Sequence, residues 1–402
     1  ILYFIGLTES YEGEGYDRKN LKIPQNQEKL LAEIAETVGK DNIAAISFGG
    51  APMDFSFEKN VGAILHMYLG GQAVGESVAD LISGEVNPSG KLAETIPFSE
   101  KDTPAWRYFA PPNDDVEYRE SIFVGYRYYE TFHVPVKYPF GYGLSYTSFS
   151  YSELNVPEVY SGGKIQIRFK IKNIGKVSGA EIAQLYVCPN ESDVIRSHIE
   201  LKGFQKIYLH PREEKEVILE LDERSFSVYD VEKKAFSMLS GKYQICIGAS
   251  VHDLQLKANI EVVGNSYFRN EREVFPDYFR EQPHGMEISA EQFYQLLGGE
   301  PKHDKEKKRG EYTVYDSYQD VVNVSMFGKF VRGVVHIGLK IMLRGKSEQD
   351  PAFKMVKMGV EEGNLEGLIA TSGGIATPKL IDMLVYNANK KYLQAFKRLL
   401  KK

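Results

Sequence analysis

Three glutamates, Glu9, Glu12 and Glu14, stand within six residues in the run Glu9-Ser10-Tyr11-Glu12-Gly13-Glu14-Gly15-Tyr16-Asp17-Arg18. Carboxylates this close repel one another, which raises the pKa of at least one. A raised carboxyl pKa is what a general acid needs near neutral pH. Glycines on both sides of Glu14 let the backbone turn sharply and put that carboxylate at an exposed loop tip. An acidic surface turn would show the same spacing, so the run by itself leaves both readings open. Asp17 and Arg18 are expected to pair and brace the loop.

Other chemistry is less well supported. Gly49-Gly50-Ala51-Pro52 and Gly70-Gly71 sit where a helix N-terminus would hold phosphate. Neither forms a G-x-G-x-x-G or P-loop pattern, so a nucleotide-binding domain is disfavoured and tight turns are expected. His66 lies in an apolar strand and reads as a core histidine. No Ser–His–Asp order stands out, and no G-x-S-x-G elbow is present. Cys188 and Cys246, with eight scattered histidines, make neither a disulfide scaffold nor a zinc site. They read as two reduced, packed thiols, which favours a cytoplasmic setting. No metal or organic cofactor is implied.

Composition agrees with a folded protein. The 402 residues are 43% hydrophobic and 26% charged, with a net charge of −6. Nothing general recommends a nucleic-acid partner. No apolar run reaches the ~18 residues of a membrane span. The nearest, 331–343, carries Arg332, His336 and Lys340. Residues 265–402 hold 22 Lys and Arg against 18 Asp and Glu, a net +4. The basic end, 397–402, reads as an ordinary helix terminus, and no membrane partner is expected.

The elements that must position the acidic run follow from hydrophobic spacing. Leu2–Leu7, Ile43–Phe48 and Val61–Met67 read as buried strands, and 26–39 and 71–82 as helices. Alternation of this kind predicts a parallel or mixed sheet covered by helices. In such sheets ligands bind beyond the carboxyl ends of the strands, where the acidic run falls. Residues 100–149, rich in proline and tyrosine, read as an ordered connection. From 150 to 264 the period becomes two, as in Ile165, Ile167, Phe169 and Ile171, or Val217, Leu219 and Leu221. About seven short strands there predict an immunoglobulin-like β-sandwich. Residues 265–402 read as mostly helical. They include a helix over 327–343 with an apolar stripe at Phe330, Val331, Val334, Ile337, Gly338 and Ile341, and two more over 353–371 and 378–400. The fold class is thus α/β plus all-β: domains over 1–149 and 150–264, then a helical extension over 265–402. The apolar β-rich start reads as an interior strand, so an N-terminally incomplete chain is expected.

The run Gly13-Glu14-Gly15-Tyr16-Asp17-Arg18 resembles the catalytic-acid loop of glycoside hydrolase family 3. Further segments resemble the same family, in its order: Gly70-Gly71-Gln72 with Gly75 and Ala79-Asp80, Asn87-Pro88-Ser89-Gly90-Lys91-Leu92, 122–129 and 139–147. The sandwich resembles the fibronectin type III-like domain that follows in many members. Together these cover about 1–264, and 265–402 resembles a helical extension of some bacterial members.

The resemblance implies a retaining exo-β-glycosidase acting on a β-glucoside or oligosaccharide, with β-xylosides as the alternative. In the family a (β/α)₈ barrel supplies an aspartate nucleophile, and the α/β sandwich supplies the acid/base. By its place in the motif that residue is Glu14, with Glu12 as the neighbour to weigh against it. The barrel and part of the α/β domain are absent from these residues. The chain's partners are therefore expected to be substrate and the missing barrel domain, and the chain alone is expected to be inactive. The partial sheet is expected to expose an edge and apolar surface. A homodimer is compatible with the sequence but not required by it. The competing reading is a non-catalytic binding module derived from such an enzyme, which would have no need of Glu14 in its glycine-flanked loop.

Overall fold

The structure, a computed structural model, describes residues 1–9, 11–13, 18, 20–109, 116–264, 270–280, 285–300, 307–345, 350–361, 363–372 and 374–400. Glu14, Gly15, Tyr16 and Asp17 lie outside the described residues.

Three strands, β1 (Leu2–Gly6), β2 (Ala44–Phe48) and β3 (Ala63–His66), form a parallel sheet in that order. Central β2 buries Ala45, Ile46 and Ser47, as a strand covered on both faces does. Helix α1 (Gln25–Val38) packs Leu31 into this core and ends at Gly39, whose φ of 81° is open to glycine at little cost. The Gln27 amide closes part of the β1 edge: it accepts from Gly6 N at 3.0 Å and donates to Gly6 O at 3.1 Å. Leu2 and Phe4 of that edge strand, and Ile1 before it, are exposed. Helix α2 (Val74–Ser83) buries only Val78. A short ribbon of β4 (Ile96–Pro97) and β5 (Val136–Tyr138) follows, with helix α3 (Tyr126–Thr131) between its strands in sequence.

The β-sandwich begins with β6 (Phe149–Asn155), β7 (Val159–Tyr160), β8 (Ile165–Asn173), β9 (Gly179–Pro189) and β10 (Glu200–Leu209). It continues through β11 (Glu214–Leu221), the ribbon β12 (Ser227–Asp230) with β13 (Ala235–Met238), β14 (Gly241–Gly248) and β15 (Leu254–Val262). A sheet ordered β10-β9-β14-β15-β7 faces one ordered β11-β8-β6. The period of two holds. Ile167, Phe169 and Ile171 meet Leu185, Val187, Ile245 and Ile247 inside, while Gln166 and Lys172 face out. Strand β9 is buried on both faces because a second cluster covers its outer side, with Tyr186 and Cys246 under Tyr126, Phe140, Ile199 and Val251.

Residues 270–298, with α4 (Glu271–Val274) and α5 (Ala290–Leu297), return to the aromatic connection. Phe275, Tyr278, Met286 and Ile288 share a core with Phe123, Tyr128, Tyr129 and Phe132. A separate helical core follows, built from α6 (Tyr318–Asn323), α7 (Met326–Met342), α8 (Pro351–Glu361), α9 (Leu365–Thr371) and α10 (Pro378–Ala388), with α11 (Tyr392–Leu400) against α10.

Here two expectations are corrected. The helix expected over 353–371 is two. Asn364 Oδ1 caps α9 by accepting from Gly367 N, and Gly363 O accepts from Tyr318 N at 3.0 Å. The helix expected over 378–400 is also two. The Asn389 amide is taken by the loop before α6, bonding Gly310 N, Tyr312 N and Tyr312 O, and Lys390 turns to φ 57°. Most of the α7 stripe faces outward: Val331 is buried, but Phe330, Val334, Ile337 and Ile341 are exposed.

Candidate active site

The acidic run leaves the carboxyl end of β1, beside the loops that leave β2 and β3. The chain turns at once, Tyr11 N and Glu12 N both donating to Thr8 O. This turn brings the Glu12 side chain to the β2 loop, where its Oε2 accepts from Gly50 N at 3.0 Å. Space at Gly50 is tight. A Cβ there would stand 2.9 Å from Glu12 Oε1 and 3.0 Å from Leu69 Cδ1 of the β3 loop. Gly49 N in turn donates to Tyr68 O at 3.2 Å, tying the β2 and β3 loops together. The expected tight turn at 49–52 is thus also the seat of Glu12.

Arg18 closes the run from the other end. Its Nη2 donates to Pro52 O, and its guanidinium lies in the field of Glu12 and of buried Asp54. Burial pulls the Arg18 pKa down, while the two carboxylates oppose that shift. Nη1 is buried with no hydrogen-bond partner among the described residues. Asp54 is itself fixed, accepting from Ser56 N at 3.0 Å. The Asp17–Arg18 pair expected from the sequence falls partly outside the described residues. What Arg18 shows instead is a brace to the β2 loop. Glu12 and Arg18, which flank residues 13–17 in the sequence, are thus both fixed to the β2 loop. Glu9 stays exposed.

A second polar group lies near the ends of β2 and β3. His66 Nδ1 and Ser47 Oγ are 2.9 Å apart, and the ring meets Phe55 edge-on. Burial lowers the His66 pKa to about 4, so the ring is neutral near pH 7. Tyr68, directly after β3, lies against the His66 ring and beside Glu94; burial raises the pKa of both Tyr68 and Glu94. Sequence reading found His66 as a core histidine and missed Glu94. Its one signal was a carboxylate inside the short stretch Leu92-Ala93-Glu94-Thr95-Ile96, which is apolar at both ends.

Lys91, Asn87 and Tyr126 join the α/β layer and its connection to the sandwich. Lys91 Nζ meets Gly143 O and Glu181 Oε1, both at 3.0 Å, across the seam with the sandwich. Asn87 donates to Ser178 O and accepts from Ser145 Oγ and Tyr146 N. Tyr126 stacks on Phe140 and accepts from Leu201 N at 2.9 Å. Cys188 and Cys246 are free thiols with sulfurs 3.8 Å apart, on neighbouring strands of one sheet. They do not face each other across the sandwich.

With this geometry in place, similarity to known proteins is informative. Residues 1–146 match the glycosyl hydrolase family 3 C-terminal domain, and 181–251 match the fibronectin type III-like domain. Over 261 residues the chain is 44% identical to thermostable beta-glucosidase B of Acetivibrio thermocellus, covering 64% of this chain and 34% of that one. An exo-alpha-(1->6)-L-arabinopyranosidase of Bifidobacterium breve is 37% identical, over 66% of this chain and 35% of its own. The crystal structure of a GH3 beta-glucosidase from Bifidobacterium adolescentis superposes with a TM-score of 0.62 at 37% identity. It covers 66% of this chain and 39% of that one. The chain thus spans about a third of the length of the curated relatives it matches.

Proposed function

The chain belongs to glycoside hydrolase family 3, whose C-terminal part it carries, and from this we propose that its acidic loop supplies the acid/base of a retaining exo-β-glycosidase. Glu14 is that residue, and terminal β-linked glucose is the sugar. The domains are 1–149 for the α/β layer with its connection, 150–264 for the sandwich, and 265–402 for the extension.

The observation that carries the reading is the pair of anchors on either side of Glu14. Glu12 is committed to the Gly50 amide and Arg18 to Pro52 O, so both act as braces. The glycine-flanked carboxyl between them is the one left for proton transfer. Glu14 protonates the glycosidic oxygen as the bond to the leaving group breaks. A carboxylate nucleophile attacks the anomeric carbon from the other side and forms a glycosyl-enzyme. Glu14, now ionised, takes a proton from water, which releases the sugar. Such carboxyl pairs stand about 5–5.5 Å apart. The described residues contain no eight-stranded barrel. The nucleophile is assigned to a barrel domain beyond these residues, and the 402 residues alone should turn over nothing.

The test joins the chain to the part of the Acetivibrio thermocellus relative that it does not match, about two thirds of that protein, and uses an aryl β-glucoside. Glu14→Ala should lower turnover about 10²–10⁴-fold, and azide should restore it. Glu12→Ala should cost less and gain nothing from azide. Azide rescue of Glu12→Ala alone would move the role to Glu12. Turnover by the unjoined chain, lost in Glu14→Gln, would remove the need for a barrel. An α-L-arabinopyranoside and a β-xyloside belong in the same assay, since an arabinopyranosidase stands among the relatives.

A further inference from the structure

Two exposed apolar stripes lie in the helical extension. Helix α7 buries Val331 and packs Phe327 and Val335 on the helical core. It also carries Met326, Phe330, Val334, Ile337 and Ile341, at steps of four, four, three and four residues, on a different flank. These are 53–84% exposed. The helix therefore has two apolar flanks but packs only one of them. Helix α11 repeats the arrangement. It buries Ala395 and exposes Leu393, Phe396 and Leu400. The two helices come together at one end, where Met326 and Tyr392 line one cavity of about 230 Å³ with Arg309 and Lys329. Scattered exposed apolar residues are ordinary, but a contiguous patch marks an interaction site.

Charge decides what the patch fits. Helix α7 holds Lys329, Arg332 and Lys340, Arg344 follows it, and α11 holds Lys397 and Arg398; neither helix has an acidic residue. Arg398 is paired with Asp382, and Arg332 bonds the Asn323 amide. Lys329, Lys340, Arg344 and Lys397 have no carboxylate partner among the described residues. A second copy seated on this face would set cation against cation, which costs affinity. An apolar layer beneath a plane of negative charge would satisfy both features.

We propose that α7 and α11 form a docking face for the surface of an anionic phospholipid bilayer. Their apolar stripes enter the boundary between headgroups and acyl chains, and the lysines and arginines stay at the level of the phosphates. The helices lie on the membrane; no helix among the described residues is long and apolar enough to cross one. The sequence alone reads the basic end as a plain helix terminus. The outward turn of both stripes is what changes that reading.

The test is co-sedimentation of the 402-residue chain with vesicles of phosphatidylcholine, with and without about a quarter phosphatidylglycerol. Light scattering of the free chain runs alongside. Binding should require phosphatidylglycerol and weaken at least about tenfold in high salt. Phe330→Asp with Ile337→Asp should weaken it at least about tenfold. Lys329→Gln and Lys340→Gln, at exposed positions that leave the fold alone, should each cost about fivefold. No binding to anionic vesicles, or binding unchanged in these variants, overturns the proposal. A dimer in solution that Phe330→Asp with Ile337→Asp dissolves, with no vesicle binding, overturns it in favour of a second copy.

Discussion

The seam between the α/β layer and the sandwich and the loops at the ends of β1–β3 use the same residue types to opposite ends. At the seam, Lys91 meets Glu181 with 11% and 8% of their side chains exposed, and Lys91 also donates to Gly143 O. Gly143 has no room for a side chain, since a Cβ would stand 2.3 Å from Gly90 O. At the strand ends, Glu12 and Arg18 are half-buried and oriented by backbone groups, and Arg18 Nη1 has no hydrogen-bond partner among the described residues. A lysine, a glutamate and a glycine in a dry, fully bonded setting are scaffold. An arginine, a glutamate and a glycine left partly open flank the segment proposed to carry the acid/base. The residue types alone do not separate the two cases; burial and the state of every donor do.

The comparison breaks most readily at Glu14. In the barrel-joined protein, Glu14→Ala should cost about 10²–10⁴ in turnover and leave the unfolding midpoint unchanged. A fall in stability of the same size would make the loop scaffold. The mirror case is Lys91→Ala, which leaves Glu181 buried without its partner. It should cost about 3–5 kcal/mol in denaturant unfolding of this seam, and Lys91→Met with Glu181→Leu should recover much of that. If the joined enzyme carrying Lys91→Ala folds yet loses its rate, the seam takes part in chemistry.

His66 sharpens the comparison through pH. Its folded pKa of about 4 lies below the ordinary 6.5, so between these values the unfolded chain binds more protons. Stability contributed by neutral His66 is whole above about pH 6.5 and is lost as pH falls toward 4, by up to ~3 kcal/mol. His66→Asn should flatten that part of a stability–pH curve; an unchanged slope would place the lost protons elsewhere. The smallest effect is expected at Gly50→Ala. The new methyl group would press on Glu12 Oε1 and Leu69 Cδ1, both movable ends. A cost of about 1 kcal/mol is expected, with a larger relative loss of rate as Glu12 shifts. A variant with full rate would show that the Glu12 seat does not position the loop.

Much of the fold was legible because hydrophobic periodicity is a local signal. Residues 165–171 and 217–221 alternate in the sequence, and the buried faces of β8 and β11 follow that alternation. The ends of α7 fall within a residue of the apolar run that predicted it. The breaks at 363–364 and 389–391 were not legible. The groups that stabilise them include Tyr318 N and the backbone of residues 310–312, far away in sequence. The candidate site divides the same way. Glycine spacing singled out the acidic run, but nothing local linked Glu12 to Gly50, or Arg18 to Pro52.

By itself, then, the sequence determined the element types, the alternation of the sandwich, the acidic loop and the family to which it belongs. These depend on residue type and on spacing along the chain. The tertiary structure decided which charges became scaffold and which stayed available, which glycines were needed for room, and that the stripes of α7 and α11 face out. Each of those turns on which groups meet across long separations, and on whether water or protein satisfies them there.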